Sequence, residues 1–392
     1  MRSTIMQMIN DMRNMSRILL AGFLVLYLGD CKQAYEPPAI RGGNDYLVVD
    51  GFINVAPGSV TTIDLNRARR LSDSTAVGIP ELNAQVAIQS KGGSSWPLQD
   101  AGHNGYYVSQ PLTLDISQTY RLSVTTADGR KYLSDPVPCK PTPPIDSITW
   151  SQPNDLTFSI STHDVAAKTH YYRWDYIETW QHDAALQTPW GVNNGHIYAT
   201  DSTTQRSHCW TVLHSTQVML DNTSALSQDL VDKFPIYTIP FGDSRLDIKY
   251  RIHVRQYALT SDAYSYWLQI QKTSQGLGTL FDLQPAQLIG NVHCLTNPAE
   301  PVIGYVSAST LQEDSLFLYN TNLHYWTHNS PGFGCDTLGI PADPNDFSNY
   351  TYADTNWAPY YFDGPTTLIL ASKICLDCLE LGGTTTRPPN WP

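Results

Sequence analysis

The stretch Asp247-Ile-Lys-Tyr-Arg-Ile-His-Val-Arg255 alternates with a period of two. Ile248, Tyr250, Ile252 and Val254 fall on one side, and Lys249, Arg251, His253 and Arg255 on the other. Successive side chains of an extended chain point to opposite faces, so this segment reads as a strand with one face on a core. A second segment of the same kind lies upstream: Tyr172, Trp174, Tyr176 and Trp180 share one face, with Arg173, Asp175 and Ile177 on the other. These two strands set the class as mainly β.

Upstream of them, Pro136, Pro138, Pro141, Pro143 and Pro144 mark a linker around Cys139, and Ile145–Trp150 opens the β-rich region beyond it. Before the linker, Leu47-Val-Val49 with Phe52-Ile53 is a strand broken by Gly51. Val60–Leu65 alternates, as do Ala84, Val86 and Ile88, and then Tyr120, Leu122 and Val124; Asp128-Gly129 supplies a tight turn. Short strands with turn signals every ten residues or so predict a small sandwich over 45–140. The pattern resembles transthyretin-like, carboxypeptidase-regulatory and other Ig-like sandwiches, a resemblance of architecture that carries no activity. A larger β-rich domain follows over 141–392. One helix is expected in it: Ser261 and Asp262 can cap it, Tyr264, Trp267, Leu268 and Gln271 recur at helical spacing, and Gly276 and Gly278 stop it. A further strand is read at Val302–Ser307, and residues 328–362, rich in Pro, Asn, Asp and Tyr, read as long loops.

The first thirty residues have a different character. Arg2, Arg13 and Arg17 precede the apolar run Ile18–Gly29, which falls well short of the roughly 20 residues a spanning helix needs. Residues 1–30 therefore read as a signal peptide. Leu28-Gly29-Asp30-Cys31 resembles a bacterial lipobox, departing from it at Asp30, where a small residue is usual. Cys31 is the expected lipidation site. Each buried methylene of an attached chain contributes about 0.8 kcal/mol, so two or three chains make a lasting anchor. Residues 31–44, stiffened by Pro37-Pro38, form the tether.

Acidic residues outnumber basic ones 36 to 24, for a formal charge of −12. Phosphate recognition draws on Lys and Arg, so nucleic acid is a poor partner for this surface. Apart from Cys31 there are six cysteines: Cys139, Cys209, Cys294, Cys335, Cys375 and Cys378. In an exported chain they are disulfide candidates whose pairing the spacing does not rank. Cys375-Leu-Asp-Cys378 also has the spacing of half a zinc site or a redox pair, but the second Cys/His pair and the βαβ setting are missing. Disulfides tying the C-terminal segment to the body are expected, with no metal and no cofactor.

Familiar catalytic motifs are absent: His-Glu-x-x-His, Gly-x-Ser-x-Gly, and the phosphate- and dinucleotide-binding glycine loops. Asp175 and Glu178 are the best carboxylate pair by proximity, but three residues apart on a strand they face opposite ways. His208 and His214 share a strand face about 20 Å apart, too far for a common ion. Asp343, Asn345 and Asp346 read as a turn, without the glycine and terminal Glu of a calcium loop. The unusual feature is aromatic content: 23 Tyr, 10 Trp and 10 Phe. Most belong to the core by alternation. Tyr325, Trp326, Tyr350, Tyr352, Trp357, Tyr360 and Tyr361 sit in the expected loops and are the candidate ligand-facing set, since rings offer large contact area at small entropic cost.

One resemblance spans the whole chain after the signal. Tyr35-Glu-Pro37, Leu47-Val-Val-Asp-Gly51, Ile145-Asp-Ser-Ile148, Tyr172-Arg-Trp174 and Cys209-Trp210 carry its first half. Val254–Leu259, Phe281-Asp-Leu-Gln-Pro285, Gly290-Asn291, Val302–Tyr305 and the ending Asp377-Cys378, Leu381–Thr384, Pro388 and Trp391 carry the rest. In these the chain resembles a Bacteroidota lipoprotein family catalogued as domain of unknown function 4249. The sequence departs from the family at Asp30 and at Pro389-Asn390. The resemblance implies an outer-membrane lipoprotein, displayed on the extracellular face in the setting of a TonB-dependent transporter. With the acidic surface, the missing catalytic motifs and the aromatic loops, the expectation is a non-catalytic accessory or ligand-capturing partner of that transporter, with a glycan or peptide as ligand. Two other classes stand beside it: a surface hydrolase of glycan or peptide, which a cleft holding two carboxylates about 5–10 Å apart would favour, and a structural or adhesive envelope protein.

Overall fold

The computed structural model describes residues 46–68, 78–193, 196–201, 204–274, 290–326, 334–342 and 356–392. The signal, Cys31 and the tether lie outside them. The fold is mainly β.

In the N-terminal part the hydrogen-bonded path closes on itself. It runs from Thr119–Thr125 through Gln85–Ser90, Ser95–Gln99, Tyr106–Ser109, Thr62–Arg67 and Leu47–Asn54 to Ser307–Ser309, then through Val137–Lys140 back to Thr119–Thr125. Leu47, Ile53, Ile63, Leu65, Ile88, Leu122 and Val124, the inward half of each alternation, fill the interior. The strands expected over 45–140 are there, but they do not complete this unit alone. Ser307–Ser309 pairs in parallel with Leu47–Asn54 on one side and Val137–Lys140 on the other. Val292–Cys294 extends the sheet beyond Lys131–Ser134. Closure leaves few free edges to recruit other chains.

Of the strand expected at Val302–Ser307, only Ser307 lies in a strand, Ser307–Ser309, and Ile303 makes an isolated bridge to Val48. Gly304 has φ +137°, and a Cβ there would overlap the Val49 carbonyl oxygen. The glycine lets this segment lie directly on the Leu47–Asn54 strand, where Val49 N–H donates to the Ile303 carbonyl at 2.8 Å and Ile303 N–H to that of Leu47 at 2.9 Å.

The second part is a two-sheet sandwich. Ile145–Ser151, Leu156–His163 and Leu230–Ile239 form one antiparallel sheet. The other runs His208–His214, Tyr171–Asp183, Lys249–Ala258, Leu311–Tyr319, with Met219–Asn222 sharing an edge of the long Tyr171–Asp183 strand. Phe158, Ile160, Trp174, Tyr176, Tyr250, Ile252 and Val254 pack between them, as the alternation predicts. Ile248 is half-buried just before the strand begins at Lys249.

The helix α1 (Ser261–Ser274) is present, but its cap is one residue earlier than expected: Thr260 Oγ1 accepts from Ala263 N–H at 3.2 Å. The expected stop at Gly276 and Gly278 lies outside the described residues. Trp267 and Leu268 pack with Tyr257 and Leu259 of the sandwich and with Phe52 and Tyr305 of the N-terminal part. Tyr46–Pro392 accordingly forms one unit.

The region expected as long loops holds two strands, Thr337–Pro341 and Trp357–Phe362, which flank Thr367–Ser372. Pro341 and Pro359 sit within these strands and obscure their alternation; the register shifts beside Pro359. The hairpin Trp190–Asn193/His196–Ala199 covers this small sheet.

Candidate ligand-binding cleft

Two outward strand faces, one from each part, meet across a cleft of about 440 Å³. The N-terminal wall follows from register. Asp50 pairs with Asp64, and Asp64 with Tyr106, so the three stand in one row across adjacent strands. Gly51, next to Asp50, has φ +133°, and a Cβ there would meet the Thr62 carbonyl oxygen at 2.6 Å. Directly opposed Cβ atoms in such a pair lie about 5 Å apart. Burial, and then the Asp50 charge, raise Asp64 above its ordinary pKa, while the Asn66 amide, donating at 2.8 Å, works the other way. Among the described residues neither carboxylate is paired with a cation.

The opposite wall is built on the same logic. Arg173 stands opposite Tyr257 and Asp175 opposite Arg255. The Asp175 carboxylate accepts from Arg255 Nε at 2.5 Å and Arg173 Nη2 at 3.2 Å. Burial works against the charge on Arg255, but Asp175 holds its pKa above the ordinary value. The Arg173 guanidinium lies 4.2 Å from the Trp267 ring centre and 4.6 Å from that of Tyr257. Such cation–π contacts fix a planar group in place without consuming its donors. Arg173 Nε has no acceptor. Ser309, 1% exposed, also lines the cleft, and its Oγ is buried without a partner. Phe52 and Tyr257, edge to face at 4.9 Å, join the two walls at the base.

The residues singled out from sequence are distributed differently. Asp175 lines the cleft, whereas Glu178 faces the sandwich interior, as their spacing predicts. There Glu178 accepts from Arg245 and Tyr250, which commits it to the core. His214 lines the cleft, while His208 pairs with Asp183 at 2.9 Å. Among the described residues no group of three or more His, Cys, Asp or Glu could hold a metal ion. Asp343, Asn345 and Asp346 lie outside them.

The aromatic set needs correction. Trp326 is 6% exposed and belongs to the sandwich core, with its Nε1–H donating to the Asp243 carbonyl at 3.1 Å. Trp357 packs against the small C-terminal sheet, and Tyr360 is half-buried. Tyr325 and Tyr361 are exposed, but neither lines the cleft. Tyr350 and Tyr352 fall outside the described residues. The rings that do serve the cleft, Phe52, Tyr106, Tyr257, Trp267 and Tyr305, come from strands, the helix and the segment beside Gly304.

The cysteines also divide. Cys209–Cys378 is a disulfide that ties the C-terminal segment to the body, whereas Cys335–Cys375 closes a loop within the C-terminal structure. Cys139 and Cys294 are free thiols, contrary to their expectation as disulfide candidates: Cys139 stands opposite Ala308 and Cys294 opposite Tyr132, on separate strands of the N-terminal sheet. Burial, then Asp115, push the Cys139 thiol up to about 11. A second cavity of about 310 Å³, lined by Trp190, Tyr198, Gln205 and Arg206 among others, sits beside this C-terminal structure. Its Arg206 is already paired with Asp377 at 2.8 Å.

The class these features define is a β-protein of two packed parts with a charged cleft between them. The chain belongs to the family described as domain of unknown function (DUF4249), whose model matches residues 33–315. No curated protein matches it. A solved structure to which it is similar is that of a DUF4785 family protein from Legionella pneumophila subsp. pneumophila, 10% identical, over 54% of this chain and 52% of that one, with a TM-score of 0.19. The chain thus spans about half the length of that protein. No helix among the described residues is long and apolar enough to cross a membrane.

Proposed function

We propose that this chain is an outer-membrane lipoprotein, anchored through Cys31 on the extracellular face, that captures a small ligand in the cleft as the accessory partner of a TonB-dependent transporter. The observation that carries the capture reading is the unspent polar capacity of the cleft. Arg173 is held in position by Trp267 and Tyr257, and among the described residues Asp50 and Asp64 face the same space without a cation. Groups held ready and left unsatisfied are what a ligand completes. Anchorage and partnership rest on the lipobox-like Leu28–Cys31 and on the family resemblance.

The test of partnership is purification of the tagged, lipidated protein from native outer membranes in mild detergent. A stoichiometric TonB-dependent transporter in the eluate is the expected result; the lipoprotein eluting alone would remove that part of the reading.

The cross-strand pair Asp50–Asp64, one member with a raised pKa, favours a second reading, hydrolysis of a glycan or peptide. The capture reading is preferred on geometry. Both acids project from one wall, whereas carboxylates that cleave a glycosidic bond flank it from two sides. Steady turnover of a glycan or peptide, abolished by Asp64→Asn, would reverse that preference.

A further inference from the structure

Resting on the capture reading, we propose that the cleft recognises a zwitterion, a short peptide whose ammonium group lies between Asp50 and Asp64 and whose carboxylate meets Arg173 and Arg255. The charges on the two walls carry the argument. Among the groups that line the sandwich wall, Arg173 and Arg255 share one carboxylate, Asp175, so the lining carries an excess of positive charge; Glu313, opposite Arg255 on the next strand, lies outside the lining. The opposite wall presents Asp50 and Asp64 with no cation joined to either among the described residues. The two sets are not paired across the gap: among the described residues no ion pair joins Asp50 or Asp64 to Arg173 or Arg255, whose shared carboxylate is Asp175. Walls of opposite sign held apart by a rigid fold are satisfied by one molecule that carries both signs at its ends.

The other lining groups fit the middle of such a ligand. Tyr106 and Val60, 49% and 42% exposed, offer apolar surface at the rim for a side chain. A volume of about 440 Å³ suits a peptide of a few residues. A neutral sugar would leave both charged walls desolvated and unpaired, which costs affinity. A polyamine would meet the guanidinium groups of the sandwich wall as like charges.

The test is calorimetry on the soluble form beginning at Lys32, with trialanine as probe, beside its N-acetylated and C-amidated forms and maltotriose. Trialanine is expected to bind, and each blocked form to bind at least about tenfold more weakly. Asp50→Asn/Asp64→Asn should remove the preference for the free amine and keep that for the free carboxylate; Arg173→Gln should do the converse. Circular dichroism establishes that each variant is folded. Absence of trialanine binding to the wild-type protein, or equal binding of the blocked forms, overturns the proposal. Binding of maltotriose instead of trialanine also overturns it but leaves the capture reading standing. The transporter purification is a separate readout, so loss of the partner would not alter the peptide result.

Discussion

Glu178 and Arg245 meet inside the sandwich, with both carboxylate oxygens 3.0 Å from one guanidinium nitrogen. Tyr250 donates to the same carboxylate at 2.8 Å, and Arg245 also donates to Tyr237 at 2.6 Å. An ion pair satisfied in this way becomes a liability when one member is removed, because the other charge stays buried. Arg245→Ala, which strands Glu178, is expected to lower stability by about 3–5 kcal/mol, Glu178→Ala by less because Arg245 keeps Asp243 at 2.8 Å, and the double replacement Glu178→Leu/Arg245→Leu by clearly less than the sum. Urea unfolding of the three variants measures it.

Asp64 has the opposite character. Its folded-state pKa lies above the ordinary value through burial and Asp50, so ionisation opposes folding at any pH above both values. Asp64→Asn is therefore expected to raise Tm at pH 7 and to leave it nearly unchanged below the pH at which the carboxyl is protonated in both states. Asp243 runs the other way: burial raises its pKa, but the hydrogen bonds and charge of Arg245 outweigh that and lower it overall. The stability it contributes is present above about pH 4 and is lost as pH falls through its folded-state value. Thermal melts of wild type, Asp64→Asn and Asp243→Asn from pH 3 to pH 7 separate the two.

Cys209–Cys378 spans 169 positions and Cys335–Cys375 spans 40. On the chain-entropy account the longer loop contributes about 5 kcal/mol and the shorter about 4. Cys209→Ser/Cys378→Ser should thus lower the urea midpoint more than Cys335→Ser/Cys375→Ser, and dithiothreitol should lower that of wild type by at least as much as either. Alkylation of the unreduced, unfolded chain should label Cys139 and Cys294 among the described residues.

Trp391 is 5% exposed, with its ring against Phe317 at 5.7 Å and Lys249 Nζ 5.5 Å from its centre. It covers the outer face of the Lys249–Ala258 strand, which explains why Lys249, an outward position, is buried. Trp391→Ala is expected to cost about 3 kcal/mol and to make the segment after Thr384 accessible to proteases, read by limited proteolysis with mass spectrometry.

Much of the fold was legible because strand alternation is local. The inward set Tyr250, Ile252 and Val254 and the opposed faces of Asp175 and Glu178 follow from spacing alone. The Trp357–Phe362 strand was not, since Pro359 interrupts its pattern and what it packs on lies elsewhere in the chain. The cleft was legible only in parts. Asp50, Asp64, Arg173 and Arg255 are outward positions of strands and read individually as solvated charges. Trp326 read as a loop aromatic because nothing local reveals the Asp243 carbonyl that takes its N–H.

The sequence by itself determined the β class, the position of the helix, the family and the charge of each strand face, because these depend on residue type and short spacing. Tertiary structure alone decided which face meets which. Register set Asp50 opposite Asp64 and Asp175 opposite Arg255. Gly304 let a distant segment close the N-terminal ring, and four of six cysteines came within bonding distance. The reason is physical: a strand's own pattern fixes which side is buried, but its partner is chosen by the packing and backbone hydrogen bonds of segments far away in the chain.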